Sequence, residues 1–284
     1  LLLAWMHTPE NIIAMADAYI KVIFAGILLT MAYNVLSGIL RGIGDSRTPL
    51  YFLILSSVLN IILDVVLIVY TGLGTAGAAY ATIIAQGVSA VLCFFYMYRK
   101  YDILRTRHED YYLDSAGVKN MLAIGVPLAL NYSITAIGTM IMQSAVNVFG
   151  SSVVAAFTAA SKVSNIATQS MPTLGTAMAT YCGQNLGAGK YDRIYAGMRQ
   201  GLFLCFGAAA TAAAICIFGG RFIVSWSVSI PPEEIFSSAM QYLTIASWFF
   251  LPLAMIFLYR NALQGLDQGL IPMLSGVVEF ACRF

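Results

Sequence analysis

Long apolar stretches separated by short polar segments run through the whole chain. A helix needs about 20 apolar residues to cross the hydrocarbon core of a bilayer. Proline at positions 127, 172 and 252 is expected to bend the spans that contain it, because proline removes a backbone hydrogen bond. The pattern predicts membrane-spanning helices at residues 14–40, 49–71, 76–98, 119–148, 152–186, 195–225 and 236–264, with a further one from residue 271.

The polar break that follows the first predicted span recurs 223 residues later, without a gap: Tyr19, Gly42, Pro49 and Leu50 align with Tyr242, Gly265, Pro272 and Met273. In both copies an apolar helix leads to a glycine-containing break, and proline opens the next helix. Two internal halves in an apolar chain are typical of secondary transporters, whose substrate path lies between the halves. The alternative is chance similarity between membrane helices that are joined by glycine and proline.

Composition supports a membrane protein. Hydrophobic residues make up 60% of the chain and charged residues only 10%, whereas about 25% of the residues in a soluble domain are charged. The five cysteines are scattered, which disfavours a disulfide framework or a zinc site. The sequence has no Walker A, G-x-S-x-G or H-E-x-x-H motif, so we expect neither an enzyme nor an ATP-driven pump. No cofactor and no nucleic-acid partner are expected.

Lysine and arginine are distributed asymmetrically between the loops. Ten of them lie in three loops that fall on one side of the membrane if the spans alternate, and the loops of the other side contain none. The basic loops are 41–48, 99–119 and 187–199, and the opposite loops are 72–75, 149–151 and 226–235. Because positively charged loops stay inside, the basic loops are predicted to be cytoplasmic.

Asp64 lies within the second predicted span, and ionisable side chains at such positions often mark functional sites. Asn60 precedes it by one helical turn and shares its face. At 1.5 Å per residue, Asp64 is about 12 Å below the outer end of its span and Thr82 about 9 Å below the same surface. Their oxygens suit a proton or a small hard cation such as sodium. The alternative is that Asp64 only bonds neighbouring helices together.

The second half carries ionisable side chains at Lys162, Glu279 and Arg283. Glu279 and Arg283 are one helical turn apart, and the three residues are predicted to form a polar network inside the bundle. Such a network is either a structural salt bridge or part of a site. Lys21 and Arg260 lie near the ends of spans, where long basic side chains are expected to reach the membrane interface.

Several motifs together resemble the multidrug and toxic compound extrusion (MATE) family over essentially the whole chain. They are RGIGDSRTP (41–49), LNIILD (59–64), GTAGAAYAT (74–82) and GQNLGAG (183–189) followed by Asp192 and Arg193. The resemblance implies an all-α, polytopic bundle of twelve helices in two pseudo-symmetric lobes. The chain begins with Leu and ends inside a span, so we expect a fragment that runs from the end of the third helix to the start of the eleventh.

The resemblance also implies the division of the chain and its cation site. Residues 1–98 would belong to the N-lobe, 99–118 would be the cytoplasmic linker and 119–284 would belong to the C-lobe. Asn60, Asp64 and Thr82 match three positions of the N-lobe cation site of archaeal and bacterial members; the fourth is an Asp on the first helix. A sodium site that uses acids of the seventh and tenth helices is not expected, because spans 119–148 and 236–264 have no interior Asp or Glu.

The function that follows is proton- or sodium-coupled antiport. The protein would export organic compounds across the cytoplasmic membrane as a multi-pass monomer. Cationic substrates are expected, because methionine and aromatic side chains form adaptable cavities that attract organic cations. The alternative is a lipid-linked oligosaccharide flippase of the same broader fold. A flippase would need several basic side chains for pyrophosphate, and only Lys162, Arg260 and Arg283 are available.

Overall fold

The computed structural model describes residues 10–105, 112, 114–227 and 233–282, and all regular structure within these ranges is helical. The chain separates into two compact units, residues 1–112 and 113–284. Within its described residues, the first unit contains four α-helices and two short helical segments: α1 (Glu10–Ala25), α2 (Ile27–Gly42), α3 (Arg47–Val65), a π-helical segment (Val66–Tyr70), α4 (Gly74–Lys100) and a 3-10 turn (Asp102–Leu104).

The second unit is also built of helices alone within its described residues. They are α5 (Ser115–Asn147), α6 (Ser151–Thr168), α7 (Ser170–Gly187), α8 (Tyr191–Ala214), a π-helical segment (Ile215–Gly219), α9 (Gly220–Ser227), α10 (Glu233–Trp248), α11 (Phe250–Gly265) and α12 (Leu270–Ala281). Asp114 caps the start of α5: its carboxylate accepts hydrogen bonds from the backbone N–H groups of Ala116 and Gly117, at 3.1 and 2.9 Å. Such a cap satisfies donors that would otherwise have no partner in the first helical turn.

Helix α4 is the centre of the first unit and packs against α1, α2 and α3. Its packed face consists largely of small residues, which allow neighbouring backbones to approach closely in a membrane. The buried residues include Ala79, Ala81, Ala85, Gly87 and Ala90. Helices α3 and α4 therefore lie close enough for polar side chains within the membrane to meet.

The apolar helices agree with the predicted membrane protein. Four helices of the described chain are long and apolar enough to cross a membrane, or up to six if each bent pair is one span. The bent pairs correspond to predicted spans 14–40 and 236–264, with angles of 48° and 51°. The second bend, at Phe249, follows from Pro252, because the proline ring clashes with the carbonyl group four residues earlier. The first bend lies at Gly26, where a side chain would collide with Ile83.

The predicted span 152–186 is formed by α6 and α7, which are interrupted at Gln169. Pro172 accounts for the interruption in the same way as Pro252, since Thr168 lies four residues before it. This span is absent from the helices that are apolar enough to cross a membrane. Its polar residues are the reason, and their arrangement is described below.

The helix bounds confirm the internal repeat. The breaks at Gly26 and Phe249 are 223 residues apart, and so are the ends of α2 and α11 at Gly42 and Gly265. Pro49 and Pro272 are buried near the starts of α3 and α12. In both copies the proline carbonyl accepts a side-chain hydrogen bond, from Tyr33 at 2.8 Å and from Asn131 at 2.7 Å. The two copies therefore share their helix breaks as well as their sequence register.

Candidate functional site

Asn60 and Thr82 form a direct hydrogen bond between α3 and α4. The Asn60 side-chain amide donates to Thr82 Oγ1 at 3.4 Å, and the Thr82 hydroxyl donates to the carbonyl oxygen of Ala78 at 3.0 Å. Both side chains are half-buried. Because the Thr82 hydroxyl gives its hydrogen to its own helix, its oxygen faces Asn60 as an acceptor.

Asp64 lies one turn beyond Asn60 on α3 and is half-buried. Its Oδ1 atom is buried and has no hydrogen-bond partner among the described residues. A buried carboxylate oxygen without a partner is costly, and a proton or a bound cation would remove that cost. The π-helical segment begins two residues later, at Val66, and such segments occur frequently at functional sites.

Gln86 is a polar residue near the site that sequence reasoning missed. It follows Thr82 by one turn on α4, and its Oε1 atom is buried without a hydrogen-bond partner in the described part of the chain. The i, i+4 spacing from Thr82 repeats the spacing of Asn60 and Asp64, which was the available signal. An amide oxygen is a ligand of the same hard kind as the other three. No cluster of three His, Cys, Asp or Glu that could hold a metal occurs among the described residues.

The polar network of the second unit differs from the predicted one. Glu279 pairs with Arg260 at 3.1 Å, and the side chain of Arg260 is only 14% exposed. The Arg260 guanidinium also donates to Ser275 Oγ at 3.0 Å and to Asn131 Oδ1 at 3.4 Å. The expectation that Arg260 reaches the interface was therefore wrong: its bonds hold it among α5, α11 and α12.

Lys162 is not part of this cluster. Its side chain is exposed on α6 and makes no ion pair with the residues that the structure describes. Arg283, the third member of the predicted network, lies outside the described residues. The network that is observed therefore contains Glu279 with Arg260, and leaves Lys162 without a counter-ion in the described chain.

A second polar cluster lies around Asp45, in a loop predicted to be cytoplasmic. Asp45 Oδ2 accepts hydrogen bonds from the hydroxyl groups of Tyr101 at 2.6 Å and Thr48 at 2.7 Å, and pairs with Lys100 at 3.4 Å. Burial alone would raise the pKa of the Asp45 carboxyl. The hydrogen bonds together outweigh that effect, and they hold the pKa well below its usual range. The charged carboxylate thus joins the start of α3 to the end of α4.

Comparison with known proteins identifies the family. The MatE family model matches residues 1–66 and 127–284. The chain is 30% identical over 284 residues to the probable multidrug resistance protein YpnP of Bacillus subtilis, a match that covers 99% of this chain and 62% of YpnP. It is 25% identical to the FAD transporter of Shewanella oneidensis, with coverage of 99% and 62%.

The fold is also found among solved structures. The outward-facing structure of a multidrug resistance MATE family transporter of the MOP superfamily matches with a TM-score of 0.91 at 22% identity, over 99% of this chain and 62% of that one. The chain spans about three fifths of the length of the relatives that it matches. The family model and the YpnP match establish that this chain belongs to the MatE family, whose members are multi-pass membrane transporters rather than enzymes.

Proposed function

We propose that the protein exports organic compounds across the cytoplasmic membrane in exchange for a proton or a sodium ion that binds at Asp64. Asn60 and Thr82 would complete the site, and Gln86, one turn after Thr82 on α4, would support it. The observation that carries the proposal is the buried Asp64 Oδ1 atom, which has no hydrogen-bond partner among the described residues. Because an unpaired buried carboxylate oxygen is costly, conformations in which a cation binds to it are stabilised.

Coupling requires that the cation and the substrate favour different conformations, because a ligand shifts an equilibrium only by its difference in affinity for the two states. A proton or sodium ion at Asp64 removes the unpaired buried charge, and so stabilises the conformation in which the carboxylate is enclosed. Substrate would stabilise the conformation in which Asp64 is open to water. If the two conformations differ about 100-fold in their affinity for a ligand, the coupling free energy is roughly 3 kcal/mol.

The substrates are proposed to be organic compounds that carry a positive charge. Relatives are named both for multidrug resistance and for FAD, so the family does not fix the substrate. The proposal of cationic substrates rests on the 13 methionines and on the aromatic content of the chain, which suit adaptable contacts with flat organic cations.

The flippase alternative is disfavoured by the charges of the second unit. A site for a pyrophosphate group needs several uncompensated basic side chains. Arg260 is neutralised by Glu279 at 3.1 Å. Of the three candidates, Arg283 lies outside the described residues and Lys162 makes no ion pair with a described residue, so Lys162 is the basic side chain that remains available.

The test is an ethidium efflux assay on the full-length protein in cells, with the proton and sodium gradients collapsed separately by selective ionophores. We expect efflux to stop when one of the two gradients is removed and to persist when the other is removed. Efflux that continues without either gradient would refute cation-coupled export. Cells that carry the empty vector give the background rate.

A further inference from the structure

A stripe of polar residues runs along the whole length of α6 and α7. Its members are separated by four, three, four, four, three and four residues, which places them on one helix face. Gln169, at the junction, has helical backbone angles, φ −58° and ψ −24°, so the face continues from one helix into the next. The polar stripe comprises Thr158, Lys162, Asn165, Gln169, Thr173, Thr176 and Thr180.

The polar stripe faces away from the packed side of α6. The buried face of this helix is apolar and belongs to the core of the second unit; it contains Ala156, Ala159, Ala160, Val163 and Ala167. Every member of the polar stripe is exposed except Thr180, which is half-buried. Helix α6 is therefore amphipathic, although it lies in a protein that spans a membrane.

Four side chains of the polar stripe have no hydrogen-bond partner among the residues that the structure describes. The threonines at 173, 176 and 180 donate to the carbonyl oxygens four residues earlier, at 3.1, 3.0 and 3.3 Å. Such threonines can be tolerated in lipid, because their donors are satisfied. For Thr158, Lys162, Asn165 and Gln169, no side-chain hydrogen bond to another described residue is present. Within a membrane, these polar groups need water, a ligand or a partner outside the described residues, since lipid offers no hydrogen-bonding partner.

The polar stripe is long enough to cross the membrane. Its first and last members are 22 residues apart, which at 1.5 Å per residue gives about 33 Å, compared with a hydrocarbon core of about 30 Å. A water-filled path across the membrane requires at least one wall with a continuous polar face of this length. The polar stripe also lowers the hydropathy of this span, which is not among the described helices that are apolar enough to cross a membrane.

We propose that the polar stripe forms one wall of the substrate path and that Lys162 binds an anionic group, a carboxylate or a phosphate, on the exported compound. The ammonium group offers three donors, and Asn165 adds an amide donor one turn away on the same face. The inference rests on the proposed export function and narrows its substrate class. Zwitterionic compounds, which have an acidic group beside a positive charge, should be preferred over simple cations.

The position of Lys162 separates it from the other basic side chains of the second unit. Arg260 is held by Glu279, and Arg221 lies near the end of predicted span 195–225, over the ring of Phe236 at 5.1 Å. The arginines and lysines at 119, 190, 193 and 199 lie in or beside loops that are predicted to be cytoplasmic. Lys162 is the twelfth residue of α6, which begins at Ser151, the end that is predicted to lie on the outer side. Its charge is therefore placed to meet a substrate inside the membrane.

A matched pair of dyes tests this proposal by equilibrium binding. Rhodamine B carries a free carboxylate, and its ethyl ester lacks that charge but keeps the same cationic ring system. Fluorescence polarisation on the purified full-length protein, in nanodiscs of neutral phosphatidylcholine, gives the affinity for each dye. We expect the wild-type protein to bind rhodamine B about tenfold more tightly, as one charge-assisted hydrogen bond warrants. The Lys162→Gln variant should lose this preference and Lys162→Arg should keep most of it.

The control variant is Lys190→Gln, which removes an exposed lysine outside the polar stripe and should bind both dyes as the wild type does. Equal wild-type affinities for the two dyes, or an equal loss of both in Lys162→Gln, would overturn the assignment; the latter would mean that Lys162 has a structural partner. Competition by anionic phosphatidylglycerol added to the nanodiscs would assign the lysine to a lipid headgroup instead. If the wild-type protein exports the ethyl ester with cation coupling but does not bind rhodamine B more tightly, the inference about Lys162 fails and the proposed export function stands.

Cysteine labelling tests separately whether water reaches the polar stripe. In a variant without native cysteines, Asn165→Cys should react with a membrane-impermeant methanethiosulfonate reagent, and rhodamine B should slow that reaction severalfold. Val163→Cys, on the buried face, should stay unreacted. Protection at Val163→Cys instead, or no reaction at Asn165→Cys, would place the polar stripe away from the substrate path.

Discussion

Gly44 and Asp267, 223 residues apart, occupy the same place after α2 and α11, and both have positive φ angles, 93° and 60°. In each copy the N–H of this residue donates to the carbonyl three residues earlier, and the next N–H donates to the carbonyl five residues earlier. This bonding pattern is a Schellman-type helix end, which requires a left-handed residue. The internal repeat has thus kept its backbone conformation where glycine is replaced by aspartate.

The first prediction concerns this backbone conformation. A side chain in the left-handed region costs about 1–2 kcal/mol, so Asp267→Gly should stabilise the protein by about 1 kcal/mol and Gly44→Ala should destabilise it by a similar amount. Gly42→Ala is the control, because a methyl group there would meet no atom within 4 Å. Thermal unfolding of the purified full-length variants measures the effect. Equal tolerance of Gly44→Ala and Gly42→Ala would contradict the structural reason.

The second prediction concerns Asp64. Replacement by asparagine keeps the shape of the side chain but removes its charge, so Asp64→Asn should abolish cation-dependent ethidium export while leaving expression and thermal stability close to those of the wild type. Asp17→Asn, which removes a surface carboxylate paired with Lys21 at 2.6 Å, should export normally. Export by Asp64→Asn at the wild-type rate, with the same ion dependence, would show that coupling occurs elsewhere.

The sequence predicted those features that depend on local pattern. Apolar length gave the spans to within a few residues, and the fixed register between Gly42 and Gly265 anticipated the shared helix ends. The break at Phe249 was harder to place, because it lies three residues before the proline that causes it. The interruption at Gln169 has the same relation to Pro172.

Contacts between distant residues were the part that the sequence could not supply. Arg260 was expected at the membrane interface because it lies near the end of a span, yet it bonds Glu279, Asn131 and Ser275. Its partners come from two other helices, and no spacing within one helix reveals such a meeting. Gln86, in contrast, was visible as the residue one turn after Thr82 and was overlooked.

The third prediction concerns the ion pair between Arg260 and Glu279. The Glu279→Gln variant removes the counter-ion of Arg260 that the structure shows. Because Glu279 is 34% exposed, we expect a loss of only about 1–3 kcal/mol. The double variant Arg260→Met, Glu279→Leu should recover part of that loss. Asp102→Asn is the control, since its pair with Arg105 is exposed and should matter little. A double variant less stable than either single one would contradict this interpretation.

The fourth prediction concerns pH. The pKa of Asp45 is lowered in the folded protein, so the stability that its carboxylate contributes is present above its unfolded pKa of about 3.9 and is lost as the pH falls below that value. Asp45→Asn should therefore destabilise the protein at neutral pH by about 1–2 kcal/mol, and the difference from the wild type should shrink in acid. Thermal unfolding between pH 7 and pH 3 provides the comparison. A constant difference over this range would mean that charge is not involved.

The most direct test of cation exchange at Asp64 is to follow the cation while substrate binds. Ethidium is added to the purified full-length protein in a weakly buffered solution, and released protons are followed with a pH indicator, or displaced sodium with a radioactive tracer. We predict release of about one proton or one sodium ion per bound ethidium in the wild type, as exchange between two states requires, and none in Asp64→Asn. Ethidium binding that releases neither cation from the wild type, or releases it equally from Asp64→Asn, would contradict the account.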